Sequence, residues 1–537
     1  MASQAMEKKA VQSQIVFEDL KHKLNIQTTI PTTFIVDESR HGELMKACHS
    51  NNPFGLLFGF VIVKLRKKGV NKLFEDEKVL QTPAVAAVLA TCSSVATSIG
   101  ALRGDAFERT PETFCDVAFA GMQAFRLFMS DSKDPAFKKV RVASAVRVNN
   151  AWNGSSYKYQ AGDERHVSFH VYYQSQQKKL VDAFNLNKPS EKYTMLSTRF
   201  DMKKLRQLFR KYTSDQLEEL AFDCDACGCK IRSRDEWEST EVGKAVCEMP
   251  LVRFEEKGRD TTTVWGKPNS RGPLSGIKIL DLTHIIAGPA CSRVLAEYGA
   301  DLLMVRRGKF IEQEQAMLEL DGWAGKNSIQ LDLNESAALE RIKQLIREAD
   351  VITYSYQSGA LDKFGLSQEE IYKLNPNIIY SNLMCFSDSV WRNRPGWAPL
   401  AEDITGLSVR NGSLENPINL NGVPLDYIPG MILALGTLLA IERKLKDGTT
   451  CTVTTSLTRG AQWLHECTDI CEKEHVGEFS SRIAAKAPTA QWDKVLQFVD
   501  GNSIGKVGFP TPATYNTVYP DLTQNMKFND GCKGWQQ

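Results

Sequence analysis

The chain lacks a charge bias, a basic tract and a paired cysteine cluster, and each absence narrows what it does. Its 66 Lys and Arg side chains offset 64 Asp and Glu, and no basic run exceeds Arg66-Lys67-Lys68. A nucleic-acid partner is therefore not implied. No apolar stretch reads as long enough to span a membrane, so no membrane partner is expected. The opening MASQAMEKKAVQSQ has no apolar core of a secretory signal, and the closing Gly534-Trp535-Gln536-Gln537 is not a peroxisomal tripeptide. The expected compartment is the cytoplasm. Thirteen cysteines, an odd number, then argue for reduced thiols rather than a disulfide framework. Cys224, Cys227 and Cys229 include one C-x-x-C spacing, but no second pair stands at ribbon distance and Cys247 alone is a poor fourth ligand. Ordinary buried or half-exposed thiols are expected there, and no metal. His166 and His170, four apart on an expected strand, share a sheet face and read as structural histidines ahead of a ligand or base pair.

What is present is length and alternation. At 537 residues the chain holds more than one core. The most informative stretch is 274–307, LSGIKILDLTHIIAGPACSRVLAEYGADLLMVRR. An apolar strand around Ile277 and Ile279 meets a loop with Gly288 and Pro289, then an amphipathic helix, then a second strand from Asp301. That is a β-α-β unit, whose first turn is where such folds hold nucleotides. The turn reads AGPA, so the G-x-G-x-x-G dinucleotide fingerprint is missing. Strands and helices alternate on through 383, implying a parallel sheet covered on both faces.

Upstream, helical patterns occupy 79–103, 112–129 and 178–186, and YKYQAGDERHVSFHVYY (157–173) reads as a β-hairpin turning at Ala161–Arg165. A helix over 201–212 and another capped at Thr213/Ser214 follow. Residues 82–121 echo 424–461: an Ala/Leu-rich helix, a charged turn, then a segment ending in small residues. A degenerate internal duplication is expected. The chain accordingly divides into an unassigned segment 1–75, an N-terminal half 76–255 carrying a small α+β domain, and a polar linker 256–273. A parallel-sheet α/β domain of Rossmann type follows over 274–465, with a C-terminal extension 466–537.

Leu274-Ser275-Gly276, Leu280-Asp281-Leu282-Thr283-His284, Ala287-Gly288-Pro289 and Gly299-Ala300-Asp301 stand in order and without gaps. Gly325-Lys326-Asn327-Ser328, Ala349-Asp350-Val351 and Ser355-Tyr356-Gln357-Ser358-Gly359 follow, and Arg232, Ser233, Glu236 and Trp237 add a match in the N-terminal half. Over 80–465 the chain resembles the family III CoA transferases, a group that includes formyl-CoA transferase, carnitine CoA-transferase and α-methylacyl-CoA racemase. The resemblance implies that family's fold, with coenzyme A or acyl-CoA as substrate and no permanently bound cofactor. It places CoA against the loop His284, Ile285, Ile286 and Ala287, with Arg307, Lys326, Ser355 and Tyr356 around it. Backbone N–H groups at a helix start, two cations and an aromatic ring suit a pyrophosphate and an adenine.

The family's nucleophilic aspartate falls on Asp426, in PLDYIPG before an apolar helix. The resemblance implies that Asp426 attacks the acyl-CoA carbonyl and is converted to an aspartyl-CoA thioester. Capping that helix is the plainer role for the same residue. Three departures bear on the reaction. Trp397 stands where the racemase branch has its proton-shuttling His, Ala398 replaces the adjacent acid, and Ile286 replaces a Gln of formyl-CoA transferase. Glu402, one helical turn beyond Ala398, is expected to face the same pocket and assist. Residues 466–537 carry no glycine run like that transferase's mobile loop. The implied activity is CoA transfer from an acyl-CoA to a carboxylic acid. The alternatives are an α-epimerase of acyl-CoA thioesters and a catalytically decayed CoA-binding protein. A homodimer, or one chain imitating a dimer through its two halves, is expected from the resemblance.

Overall fold

A computed structural model of the chain describes residues 2–28, 30–36, 77–107, 110–125, 158–170, 174–184, 202–260, 262–307, 321–387 and 389–473. Short pieces at 483–484, 500–501, 505–506, 514–516 and 531–535 are also described. Most of the C-terminal extension, and half of the segment 1–75, lie outside the described residues.

The N-terminal half opens with helix α1 (Ala2–Lys23), strand β1 (Thr32–Ile35), helix α2 (Gln81–Leu102), strand β2 (Thr113–Asp116) and helix α3 (Val117–Met122). β1 and β2 pair in parallel, Phe34 opposite Cys115. The helix expected over 112–129 is therefore a strand followed by a short helix. Thr113, Phe114 and Cys115 are a run too short for periodicity to separate the two states, and pairing with β1 decides it.

The expected hairpin is β3 (Lys158–Gln160) against β4 (His166–Phe169), Tyr159 opposite Val167. Helix α4 (Ser214–Asp223) starts on Thr213, whose side chain accepts from the Gln216 N–H while Gln216 reaches back, a capping box. Strand β5 (Gly228–Lys230) adds to β4, and helix α5 (Arg234–Ser239) begins on a second box, Ser233 with Glu236. At the centre of this small α+β unit Phe209 packs edge to face with Tyr159 and tilted against Phe169.

The large sheet takes strands β6 (Arg253–Arg259), β7 (Lys278–Leu282), β8 (Asp301–Arg307), β9 (Asn327–Leu331), β10 (Val351–Tyr354), β11 (Ile379–Met384) and β12 (Thr449–Ser456). Their spatial order is β6-β12-β11-β10-β7-β8-β9. All neighbours are parallel except β6, which runs antiparallel to β12 at one edge. Residues 256–259, expected as linker, are thus part of the sheet. Glu255, Glu256 and Lys257 are exposed there, and a charged edge strand looks like a loop in sequence while discouraging edge-to-edge pairing.

Helices α6 (Ala287–Glu297), α7 (Ser336–Glu348), α8 (Gln368–Leu374), α9 (Ala398–Ile404), α10 (Pro424–Asp447) and α11 (Leu457–Lys473) connect or flank these strands. Alternation along β7 sends Leu280 and Leu282 to the face under α7 and α8, with Ile342, Leu345 and Ile371. Ile279 points to the other face, under α6 and α10. Connections leave β7 in both directions, to β8 and β9 on one side and β10 to β12 on the other. The crevice between the carboxyl ends of β7 and β10 is therefore the topological switch point, where such sheets bind ligands.

The helices α2 and α10 correct one expectation. By length and composition each is apolar enough to cross a membrane, yet each is mostly buried inside the protein. α10 lies between the sheet and α2, and α2 lies between α10 and α1. A helix that is apolar all round belongs in a membrane or in the middle of a layered core, and here the core surrounds both.

Candidate functional site

β7 ends on a polar knot. Asp281 has no solvent exposure, and its Oδ1 accepts from the Thr283 N–H at 3.1 Å, Thr283 Oγ1 at 2.6 Å and Thr353 Oγ1 at 3.0 Å. Its Oδ2 accepts from Ser292 Oγ at 2.7 Å and Lys326 Nζ at 2.6 Å. One carboxylate thus ties the ends of β7 and β10 to α6 and to the residue before β9. Removing one partner of so buried a pair costs about 3–5 kcal/mol.

Above the knot the chain runs through His284, Ile285 and Ile286 into α6. Ile285 sits at φ +67°, a left-handed conformation rare for a β-branched side chain and found chiefly where surrounding structure enforces it. The His284 N–H donates to Ser355 Oγ at 3.2 Å, and its ring stacks on Tyr356 with centroids 4.1 Å apart and planes 7° from parallel. Burial lowers the His284 ring to about 4, so it is neutral at pH 7, and its buried Nδ1 has no hydrogen-bond partner among the described residues. At Gly288 a Cβ would stand 2.4 Å from Ser355 Oγ and 2.6 Å from the Thr283 Cβ, so only glycine lets the start of α6 press into the crevice. Three of the expected CoA-contact positions, His284, Ser355 and Tyr356, thus touch one another at the carboxyl ends of β7 and β10.

Lys326 does not join them. Its side chain is wholly buried, and the ammonium spends its three donors on Asp281, Ser292 Oγ at 2.6 Å and the Pro289 carbonyl at 3.3 Å. Burial lowers its pKa, with Asp281 opposing. This is a correction: the lysine expected beside a phosphate is an internal tie of the sheet. Arg307 closes β8 at the sheet's carboxyl end, and its side chain lies outside the described residues.

Asp426 is the third residue of α10. A helix that leads into a parallel strand runs opposite to it, so this helix start lies at the same carboxyl end of the sheet as the crevice. The contact that fixes it is Gly430, one turn on, where a Cβ would stand 2.3 Å from the Ala287 carbonyl oxygen. The Asp426 carboxylate accepts no hydrogen bond and forms no ion pair among the described residues. Burial raises it to about 7, more than the favourable helix start offsets. It is near Cys385 at the end of β11, whose thiol is pushed well up by burial, with Cys227 and Asp426 adding.

Glu402 is placed differently from its expectation. Its Oε2 accepts from Asn419 Nδ2 and the Leu420 N–H, both at 2.9 Å, in the loop before α10. Burial, with Asp403 adding, raises it to about 8. Trp397 caps α9, its ring 5.8 Å from that of His170. His170 is lowered to about 4 by burial, and His166 is lowered by burial and by Lys158, with Asp403 opposing the shift at both. Cys227 and Cys229 pack with Trp237 and Phe386, and Cys224 belongs to the neighbouring cluster. Among the described residues no group of His, Cys, Asp or Glu is arranged to hold a metal.

Sequence reasoning passed over a second anchor. Arg293 on α6 is fully buried and paired with Asp321, which also accepts from the Tyr427 hydroxyl at 3.1 Å. Tyr427 adjoins Asp426, so this triad fastens α10 to α6 next to the candidate nucleophile. A charged residue inside an apolar-patterned helix, as Arg293 is, was its one signal.

The geometry defines a doubly wound α/β protein with a topological switch point between β7 and β10 and, at the same end of the sheet, a helix-start carboxylate with no partner among the described residues. Residues 274–505 match CoA-transferase family III, and this region belongs to that superfamily. An acyl-CoA transferase of Gibberella moniliformis is 30% identical over 257 residues, covering 45% of this chain and 45% of that protein. An acetyl-coenzyme A transferase, nodX, of Hypoxylon pulicicidum is 27% identical over 355 residues, 61% of this chain and 60% of its own. A formyl-CoA:oxalate CoA-transferase of Escherichia coli is 30% identical over 197 residues, 34% of this chain and 47% of its own. The chain thus spans about half the length of the curated relatives it matches.

Proposed function

We propose that the chain moves CoA from an acyl-CoA donor to a free carboxylic acid, with Asp426 as the covalent relay. The observation that carries this reading is the Asp426 carboxyl, unpaired, raised to about 7 and set at the start of α10 beside the crevice. A carboxylate held by no cation or donor keeps its electron pair for attack, and a raised pKa makes it a better nucleophile. The proposed course balances without added reagents. Asp426 attacks the thioester carbonyl, the C–S bond breaks, and CoA thiolate leaves a mixed anhydride. The thiolate attacks the aspartyl carbonyl and expels the donor acid, giving aspartyl-CoA. The acceptor carboxylate attacks that thioester, and the released thiolate takes the acceptor acyl group, restoring Asp426.

CoA would lie with its thioester at Asp426 and its nucleotide over the His284–Ala287 loop, Ser355 and Tyr356. Backbone N–H groups at the start of α6 suit its phosphates, and Arg307, by its place at the end of β8, is the cation assigned to them. The relatives' CoA-transferase names support the same class.

The test is incubation with a panel of acyl-CoAs, hydroxylamine trapping and peptide mapping by mass. Hydroxamate on Asp426, absent from Asp426→Asn, is the expected result. CoA binding without modification by any donor would leave a binding protein. Solvent deuterium appearing at an acyl α-carbon would mark an epimerase instead.

A further inference from the structure

The chain leading into α10 is tied down on both sides of Asp426, while the Asp426 carboxylate has no partner among the described residues. Six and seven residues before it, the Leu420 N–H and Asn419 Nδ2 both donate to Glu402 Oε2 at 2.9 Å. Three residues before it, the Val423 N–H donates to the Ala124 carbonyl at 2.9 Å, a tie to the N-terminal half. One residue after it, the Tyr427 hydroxyl donates to Asp321. Among these partners Glu402 is the side chain that holds the loop itself. It is 4% exposed, and its two donors come from adjacent residues.

We infer that Glu402 is a positioning residue for Asp426: it accepts the two N–H groups of the 419–420 segment, fixes the path into α10 and so holds the half-buried Asp426 carboxyl in place. This rests on the covalent reading of Asp426 and gives that site its geometry. No proton of Glu402 enters the reaction. The role differs from that of a general acid or base, which would need a proton path to the substrate.

The charges around Glu402 agree with a neutral acceptor. Asp403, next in α9, raises it further beyond burial, but Asp403 is itself paired with Lys158 of β3 at 2.6 Å. The donors facing Glu402 from the loop, Leu420 and Asn419, are uncharged. With its pKa at about 8, Glu402 is mostly a protonated acid at pH 7. A glutamine amide oxygen can accept the same two bonds without a titratable proton, so the two roles separate cleanly.

The experiment compares wild type, Glu402→Gln and Glu402→Ala as full chains. It reads acyl transfer, its pH midpoint, and hydrogen exchange at the Leu420 amide. Glu402→Gln is expected to keep the rate, the midpoint near 7 and the protected amide. Glu402→Ala is expected to lose kcat on the order of 100-fold, with the donor KM little changed, as misplacement of a reacting group does. Its midpoint should fall below 7, because a loosened 419–420 segment exposes the half-buried Asp426 carboxyl further to water, and the Leu420 amide should exchange faster. A stability role alone would not move the midpoint. Glu402→Gln as slow as Glu402→Ala would overturn the inference in favour of proton chemistry, and an unchanged rate and midpoint in Glu402→Ala would overturn it outright. If wild type forms no hydroxamate, the covalent reading fails by itself, and unchanged Leu420 exchange in Glu402→Ala would separately sink the tie.

Discussion

Two apolar helices lie side by side in the core, and only one begins beside the crevice. α2 has 22 residues and α10 has 24. Each is followed by a left-handed glycine, Gly104 at φ +81° and Gly448 at φ +77°, and each leads through a strand into another helix. The shared order is what the expected duplication requires, and it does not establish one. Their first turns differ. α10 opens with Pro424 and an unpaired Asp426. In α2 the second residue, Thr82, donates to Glu77 Oε1 at 2.6 Å, and Glu77 is also paired with Lys9, so that carboxylate is spoken for. The helix body is scaffold in both cases. What distinguishes α10 is where its start falls, at the carboxyl end of a parallel sheet and against α6.

The sharpest way to break this contrast is at the two first turns. Asp426→Asn is expected to lower kcat/KM by on the order of 10³-fold or more, as loss of a nucleophile does. Thr82→Val should leave it near wild type. Equal losses would mean that the start of α2 is catalytic too.

Next in size is pH. With its carboxyl at about 7, Asp426 is about half ionised at neutrality, and transfer should fall about tenfold for each unit below that. Stability runs the other way. Unfolded, this carboxyl ionises near about 3.9, so the fold loses stability as pH rises from there to about 7 and no further above it. Denaturant titrations of Asp426→Asn across that window should show this slope removed.

A smaller effect is expected from glycines. Gly430→Ala forces a methyl against the Ala287 carbonyl and should cost about 1–3 kcal/mol as overpacking does, with slower transfer. Gly104→Ala meets no atom within 4 Å, so only its left-handed backbone opposes it, at roughly 1–2 kcal/mol, with transfer unchanged. Calorimetry with activity measured alongside would separate the two.

Local grammar was readable in the sequence. The β-α-β unit of 274–307, the hairpin at 157–173 and the Thr213 cap each depend on neighbours within a few residues, and each is present. What escaped was settled by distant partners. Lys326 looks like a surface cation until Asp281, 45 positions away, takes its ammonium. Glu402 looks like a pocket residue by helical spacing, but its donors lie in a loop seventeen and eighteen positions on. β6 reads as linker because its edge is charged, and 112–129 reads as one helix because β1 is far upstream. Of the candidate site, the position of the 284–287 loop between β7 and α6 was legible from its motif, whereas the ties on the chain before Asp426 were not.

Lys326 also supplies a gauge of the sheet. An amine with no exposed surface is closed to acylating reagents while β7, β9, β10 and α6 stay together, and it becomes an ordinary reactive lysine once they part. Its labelling rate, read by mass against that of an exposed lysine such as Lys373, would clock how often the crevice floor opens.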